Sequence, residues 1–289
     1  MKLGLFAPIV IQHPKMSSPW ESQADIEDLA LIAEDADVLG YHYLSCGEHV
    51  AVPTETVASR GGTYWDPLAT FGFLSARTRR IRFATQVLVL GYHHPLDIIK
   101  RYGTLDKVSG GRLILGVGVG SLKEEFELLG ARFSGRGALA DDAMRAVRAG
   151  MGQVEPEYKG EHFNYSSVTV SPTATQEHMP MWVGGQSRRS LRRAVELGDG
   201  WVPFGLGGDA IADMLGRTRL PESFEVVLSL GAPLNPLARP DECRSALGAT
   251  RLLGASVATA VLSAQSVDHY REQLAKLAAL AADEGVDVG

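Results

Sequence analysis

Two groups of residues in this chain have types and spacing that could do chemistry. The first is His49, directly after the aromatic-rich run Tyr41–Cys46 and beside Glu48. An imidazole titrates near neutrality, so it can give or take a proton at working pH, and a neighbouring carboxylate can tune it. A lone His also serves as a structural hydrogen-bonder, and that reading stands beside the catalytic one. The second group is Gly184-Gly185-Gln186-Ser187, which joins an apolar run to a helical pattern. Free backbone N–H groups and the positive end of a helix dipole favour a phosphate there, with Ser187 as N-cap and possible ligand. Arg188 and Arg189 favour an anion, although a tight turn with a plain cap explains the same four residues. His93 and His94 form a weaker pair, because neighbours on an extended segment point opposite ways and cannot face one ligand together. One of them is expected to pack ahead of the helix that Pro95 starts. In GVGVGS, Gly116–Ser121, the glycines strip side chains from the backbone where a ligand would approach. As a dinucleotide fingerprint this pattern is incomplete, for it lacks the third glycine and follows the fourth strand.

The elements that must position these residues are legible from hydrophobic runs. Ile81–Leu90 and Arg112–Val117 are near-continuous apolar stretches of the kind that a parallel strand covered on both faces requires, and the helix opened by Pro95 is the crossover between them. Further strands are read at Lys2–Ala7, Tyr41–Cys46, Met181–Val183, Gly200–Phe204, Glu225–Leu230 and Ser256–Leu262. Helices are read from about Asp25 to Leu39, from an Asp66-Pro67 start to Arg77, from Gly137 to Met151, from Ser187 to Leu197, around Asp241–Leu253, and from Val267 to Ala282. Eight strands alternating with helices predict an α/β fold, a (β/α)8 TIM barrel filling residues 1–289 as a single domain, with chemistry at the carboxyl ends of the strands. An open doubly wound sheet is the competing fold, but the glycine-rich turn it needs after its first strand is missing. Residues 122–179, after the fourth strand, break the rhythm and are read as a substrate-side insertion.

Composition removes several functions. The net charge is −6 and basic residues are scattered, apart from Arg188, Arg189, Arg192 and Arg193, so neither nucleic acid nor a membrane surface is an expected partner. No apolar run approaches the roughly 20 residues needed to span a bilayer, and no signal-peptide pattern opens the chain. Cys46 and Cys243 are too few for a disulfide framework, which makes the cytoplasm the expected compartment. There is no H-x-H, H-E-x-x-H or G-x-S-x-G, so neither a metal site nor a nucleophilic serine is expected.

Four stretches carry a resemblance over nearly the whole length: RIRFATQVLVLGYHHPL (Arg80–Leu96), LDKVSGGRLILGVGVG (Leu105–Gly120), EEF-x-x-x-G (Glu124–Gly130) and MWVGGQSRRSLRRAVELGDGWVP (Met181–Pro203). In order and spacing the chain resembles the luciferase-like monooxygenase superfamily, most of all the branch that uses the deazaflavin coenzyme F420. The resemblance implies a catalytic or ring-contacting His49 with Glu48 as its acidic neighbour, and a non-proline cis peptide at Gln86-Val87, preceded by Thr85, supporting the ring. It also implies a cofactor phosphate on Gly184, Gly185, Gln186 and Ser187, with Gly118 and Gly120 allowing close approach. Two positions depart from the pattern. Ser121 stands where many relatives have Trp and the branch acting on glucose 6-phosphate has Glu, which disfavours sugar-phosphate oxidation. Gly91 stands where proline commonly follows the third strand.

The expected function is an F420-dependent oxidoreductase moving a hydride between C5 of the deazaflavin and a small organic substrate. Its rivals are a monooxygenase using reduced FMN and O2, and a cofactor-binding protein without turnover. A homodimer is expected. Phe71, Phe73 and Leu74 with Ile98, Ile99 and Tyr102 would supply its apolar face, unless core burial claims them.

Overall fold

The computed structural model describes residues 1–288. Eight parallel staves form a closed barrel: β1 (Lys2–Phe6), β2 (Tyr43–Cys46), β3 in two pieces (Arg82–Thr85 and Leu88–Val89), β4 (Leu113–Gly118), β5 (Met181–Gly184), β6 (Gly200–Val202), β7 (Glu225–Ser229) and β8 (Val257–Ala260). Each pairs with the next, and β8 returns to β1 with Lys2 opposite Val257. The eight expected strands are all present: β1, β2, β6, β7 and β8 are shorter by one to three residues, β4 is shifted by one and β5 is longer by one. The third differs most, because the run from Ile81 to Leu90 is interrupted at Gln86-Val87.

Around the barrel lie α1 (Ile26–Val38), α2 (Pro67–Arg77), α3 (Pro95–Ser109), α4 (Lys123–Leu128), α5 (Arg136–Gly150), α6 (Arg188–Leu197), α7 (Gly208–Gly216), α8 (Pro240–Leu252) and α9 (Val267–Asp283). Their starts follow local chemistry. Asp25 and Asp66 accept backbone N–H groups of the first turns of α1 and α2, and His94 caps α3 ahead of Pro95. Helix α7 was not expected from the sequence. It opens on glycines without a side-chain cap, so neither of the usual start signals marks it. Within 122–179, α5 packs between α3 and α6 as the barrel's own fourth helix. The additions are therefore α4 and an antiparallel hairpin, Tyr158–Lys159 with Asn164–Tyr165. Buried Asp106 accepts from the N–H groups of Thr175 and Gln176 and so ties the end of this segment back to the start of β4.

Alternation along the strands sorts the core into two parts. Tyr43, Ala84, Ile114, Trp182, Val202, Val227 and Val257 pack together inside the barrel. Their neighbours Leu44, Phe83, Leu113, Val183 and Val226 join the shell beneath the helices. The floor is set by two aromatic rings, Tyr43 and Trp182, whose centroids lie 5.2 Å apart edge to face. A Cβ on Gly4 would sit 2.0 Å from the Tyr43 ring, and one on Gly200 would sit 2.7 Å from Trp182. Phe71, Leu74, Ile98, Ile99 and Tyr102 are buried within the single chain, so of the residues considered for a subunit face only Phe73 is exposed.

Candidate active site

A cavity of about 790 Å³ opens at the carboxyl ends of the strands. All eight strand ends contribute to its wall, through Phe6, Gly47 just after β2, Val89, Gly118, Gly184, Val202, Ser229 and Val261 just after β8. The side chains that face it are mostly apolar, among them Ile11, Met16, Val119, Phe204, Leu206 and Ile211. Such a wall excludes water from whatever is bound and strengthens each polar contact left inside.

His49 stands on this wall, edge-on to Tyr64 with ring centroids 4.5 Å apart. Its acidic partner is not the adjacent Glu48, as expected, but Glu125 of α4, whose Oε2 lies 2.6 Å from His49 Nδ1. The chain direction explains the correction, for consecutive residues leaving β2 face opposite sides. Glu125 is fully buried. Its Oε1 accepts from Val50 N at 2.6 Å and Ala51 N at 3.1 Å, and its Oε2 accepts from the Tyr92 hydroxyl at 2.9 Å. Burial alone would push the Glu125 carboxyl up, but the hydrogen bonds from His49, Ala51 and Tyr92 together outweigh it and hold the group below the ordinary carboxylate value.

Glu48 takes the other direction. Its Oε2 accepts from Val89 N at 2.8 Å and its Oε1 lies 2.7 Å from His93 Nε2. Burial works against charge on His93, while the hydrogen bond and negative charge of Glu48 prevail and raise the imidazole above its usual value. The two adjacent histidines therefore separate as expected: His93 braces Glu48, and His94 caps α3.

Between the pieces of β3, the Gln86-Val87 peptide is cis. Both residues line the cavity, and the buried Oε1 of Gln86 has no hydrogen-bond partner. Val87 lies against two glycines, since an added Cβ would come within 2.6 Å of its side chain at Gly118 and 2.7 Å at Gly184. At Gly120, which has φ +75°, a Cβ would fall 2.5 Å from Phe126 and 2.8 Å from Val89. These glycines make room for protein side chains as well as baring the rim. Thr85 does not line the cavity; its hydroxyl donates to Gly116 O at 2.7 Å and fastens β3 to β4.

Gly185 reaches the wall with Gly184, whereas Gln186 and Ser187 lie behind it. Ser187 caps α6, with its Oγ accepting from Ser190 N at 3.2 Å, and Arg188 is engaged by Asp213 at 2.6 Å. Among the described residues there is no grouping of three or more His, Cys, Asp or Glu able to hold a metal. No helix among them is long and apolar enough to cross a membrane. Sequence reasoning missed Glu125, Tyr92 and Tyr64. Glu125 and Tyr92 fell inside noted motifs, but nothing in those motifs indicates that Glu125 meets His49, 76 positions away.

Comparison with known proteins gives this cavity a family. The description of luciferase-like monooxygenases matches residues 1–289. The chain belongs to that family. An uncharacterized protein of Mycobacterium tuberculosis is 28% identical over 211 residues, covering 69% of this chain and 73% of its own length. Among solved structures, the monooxygenase RslO1 from Streptomyces bottropensis superposes with a TM-score of 0.78 at 22% identity, over 99% of this chain and 100% of its own. The coenzyme F420-dependent tetrahydromethanopterin reductase from Methanopyrus kandleri does so at 0.73 and 13% identity, over 98% and 99% of the two chains. The two solved structures share this chain's barrel fold.

Proposed function

We propose that this luciferase-like chain is an F420-dependent oxidoreductase acting on a small organic molecule. The observation that carries the reading is the His49–Glu125 pair, a single imidazole held by a buried carboxylate on an otherwise apolar wall. The residues present fit a flavin-type ring. The partnerless Gln86 Oε1 would accept a hydrogen bond from the ring, Val87 would give it apolar support, and Gly184 and Gly185 would leave room for it at the start of α6. Bound there, reduced F420 supplies a hydride from C5. The chain supplies the rest: His49 gives the proton to the substrate atom that receives the electron pair, or takes it back in the reverse direction, while the apolar wall excludes water. Hydride transfer asks the protein for one proton at one place, which is what a lone imidazole provides.

A second reading, reduced FMN with O2, is favoured by the family's own description as monooxygenases. One titration separates the two. The protein is mixed with F420 and with FMN, binding is followed by the visible spectrum, and each bound reduced form is exposed to air. Tight F420 binding with slow oxidation in air is the expected result. FMN binding with rapid oxidation and no affinity for F420 would replace the first reading by the second.

A further inference from the structure

We infer that Glu125 is a positioning residue for His49: from the short helix α4 it fixes the imidazole as its Nδ1–H tautomer, leaving Nε2 as the nitrogen that exchanges a proton with the occupant of the cavity. This rests on the proposed role of His49 and deepens it by naming the atom and the residue that selects it.

The argument is one of donors and acceptors. Glu125 has two oxygens, and three of the four groups that reach them can only donate or do donate: Val50 N and Ala51 N to Oε1, and the Tyr92 hydroxyl to Oε2. An ionised carboxylate is an acceptor only. The fourth group, His49 Nδ1 at 2.6 Å from Oε2, must then carry the proton of that hydrogen bond. In neutral imidazole one nitrogen donates and the other accepts, so Nε2 is bare. Among the described residues Nε2 makes no hydrogen bond, and the ring lies on the cavity wall.

The surroundings hold this arrangement in place. The two amides that bind Oε1 belong to the residues immediately after His49, so one carboxylate grips both the ring and the loop that bears it. Tyr64 closes on the ring edge-on and limits its rotation. A buried carboxylate is costly to keep ionised unless its lone pairs are filled, and here all four contacts do so. In water the neutral imidazole of a free histidine favours the opposite tautomer, with the proton on Nε2. The protein therefore reverses an intrinsic preference, leaving Nε2 able to take a proton from the substrate and, once the ring is imidazolium, to return it in the reductive direction.

The test is long-range ¹H–¹⁵N NMR on the full chain labelled with ¹⁵N-histidine, at a pH where the imidazoles are neutral, with His49 assigned by its disappearance in His49→Gln. The expected spectrum has a protonated Nδ1 and a bare Nε2 at His49. In Glu125→Gln, which keeps shape and volume, the signal should move to the Nε2–H form or a mixture. Turnover should fall by roughly 10- to 100-fold, while cofactor affinity stays within about twofold. A wild-type His49 with its proton on Nε2 overturns the inference without any variant having to fold. So does a folded Glu125→Gln protein that retains the Nδ1–H form. Neither readout of tautomer needs a cofactor, so failure of the F420 reading would appear in the titration and leave this spectrum unchanged.

Discussion

An imidazole can serve a reaction only if its proton sits on the right nitrogen and its ring cannot turn away, and at His49 both conditions trace to contacts from residues remote in sequence. Removing the ring should therefore separate chemistry from binding. His49→Ala is expected to keep the cofactor and to lower turnover by roughly 10²–10⁴-fold, read by steady-state kinetics at saturating cofactor. An unchanged rate would exclude His49 from the mechanism. Val87 offers a second residue-scale prediction, because it fills space that Gly118 and Gly184 leave. An added methyl at Gly184 has nowhere to go unless Val87 withdraws, so Gly184→Ala should weaken cofactor binding. Val87→Ala in the same chain should restore part of it, giving a coupling of about 0.5–3 kcal/mol in a double-mutant cycle read by cofactor titration. Strict additivity would show that Val87 and Gly184 do not act as one unit.

At the scale of elements, the site is an assembly of loops braced by two carboxylates, Glu48 and Glu125, whose hydrogen-bonded histidines lie far from them in sequence. Glu48 joins the loop after β2 to the end of β3 through Val89 N and His93. His93 is raised above its ordinary value of 6.5, so the protonated pair contributes stability in full below that value and loses it as pH climbs through the raised folded value. The melting temperature of the wild-type protein should accordingly decline relative to His93→Gln as pH rises above 6.5, as measured by differential scanning calorimetry. A constant difference as pH rises would mean that the folded and unfolded chains hold the His93 proton equally, so that Glu48 does not raise it. These braces mark the limit of what the sequence made legible. Barrel strands and capped helices announce themselves locally, through apolar runs, Asp66-Pro67 or His94-Pro95, and His49 announces itself by following a strand. The partner of His49 does not, because Glu125 comes from a one-and-a-half-turn helix in the irregular segment, and a hydrogen bond across 76 positions leaves no periodic trace. The neighbouring carboxylate at Glu48 was the nearer candidate in sequence and the wrong one in space.

For the whole molecule, the closed barrel separates two duties along its axis. The carboxyl end carries the cavity, and the amino end carries a plug in which Glu225 accepts from Lys2 Nζ at 2.9 Å and from the indole N–H of Trp182 at 2.8 Å. Trp182 is fully buried, touches Tyr43 and does not line the cavity. Tyr43 in turn is hydrogen-bonded to Thr259, which does line it, so Trp182 stands one contact behind the wall. Changes there should act on stability and leave binding alone. Trp182→Phe removes the indole donor, leaves one Glu225 oxygen without its partner and opens a small void beside Gly200, for a combined loss of about 1–3 kcal/mol. Urea melts should show that loss as a lower midpoint with an unchanged slope, and cofactor affinity should stay within about twofold of wild type. A large fall in affinity with stability intact would place Trp182 in the binding machinery, and the division between a supporting floor and a reactive rim would have to be given up.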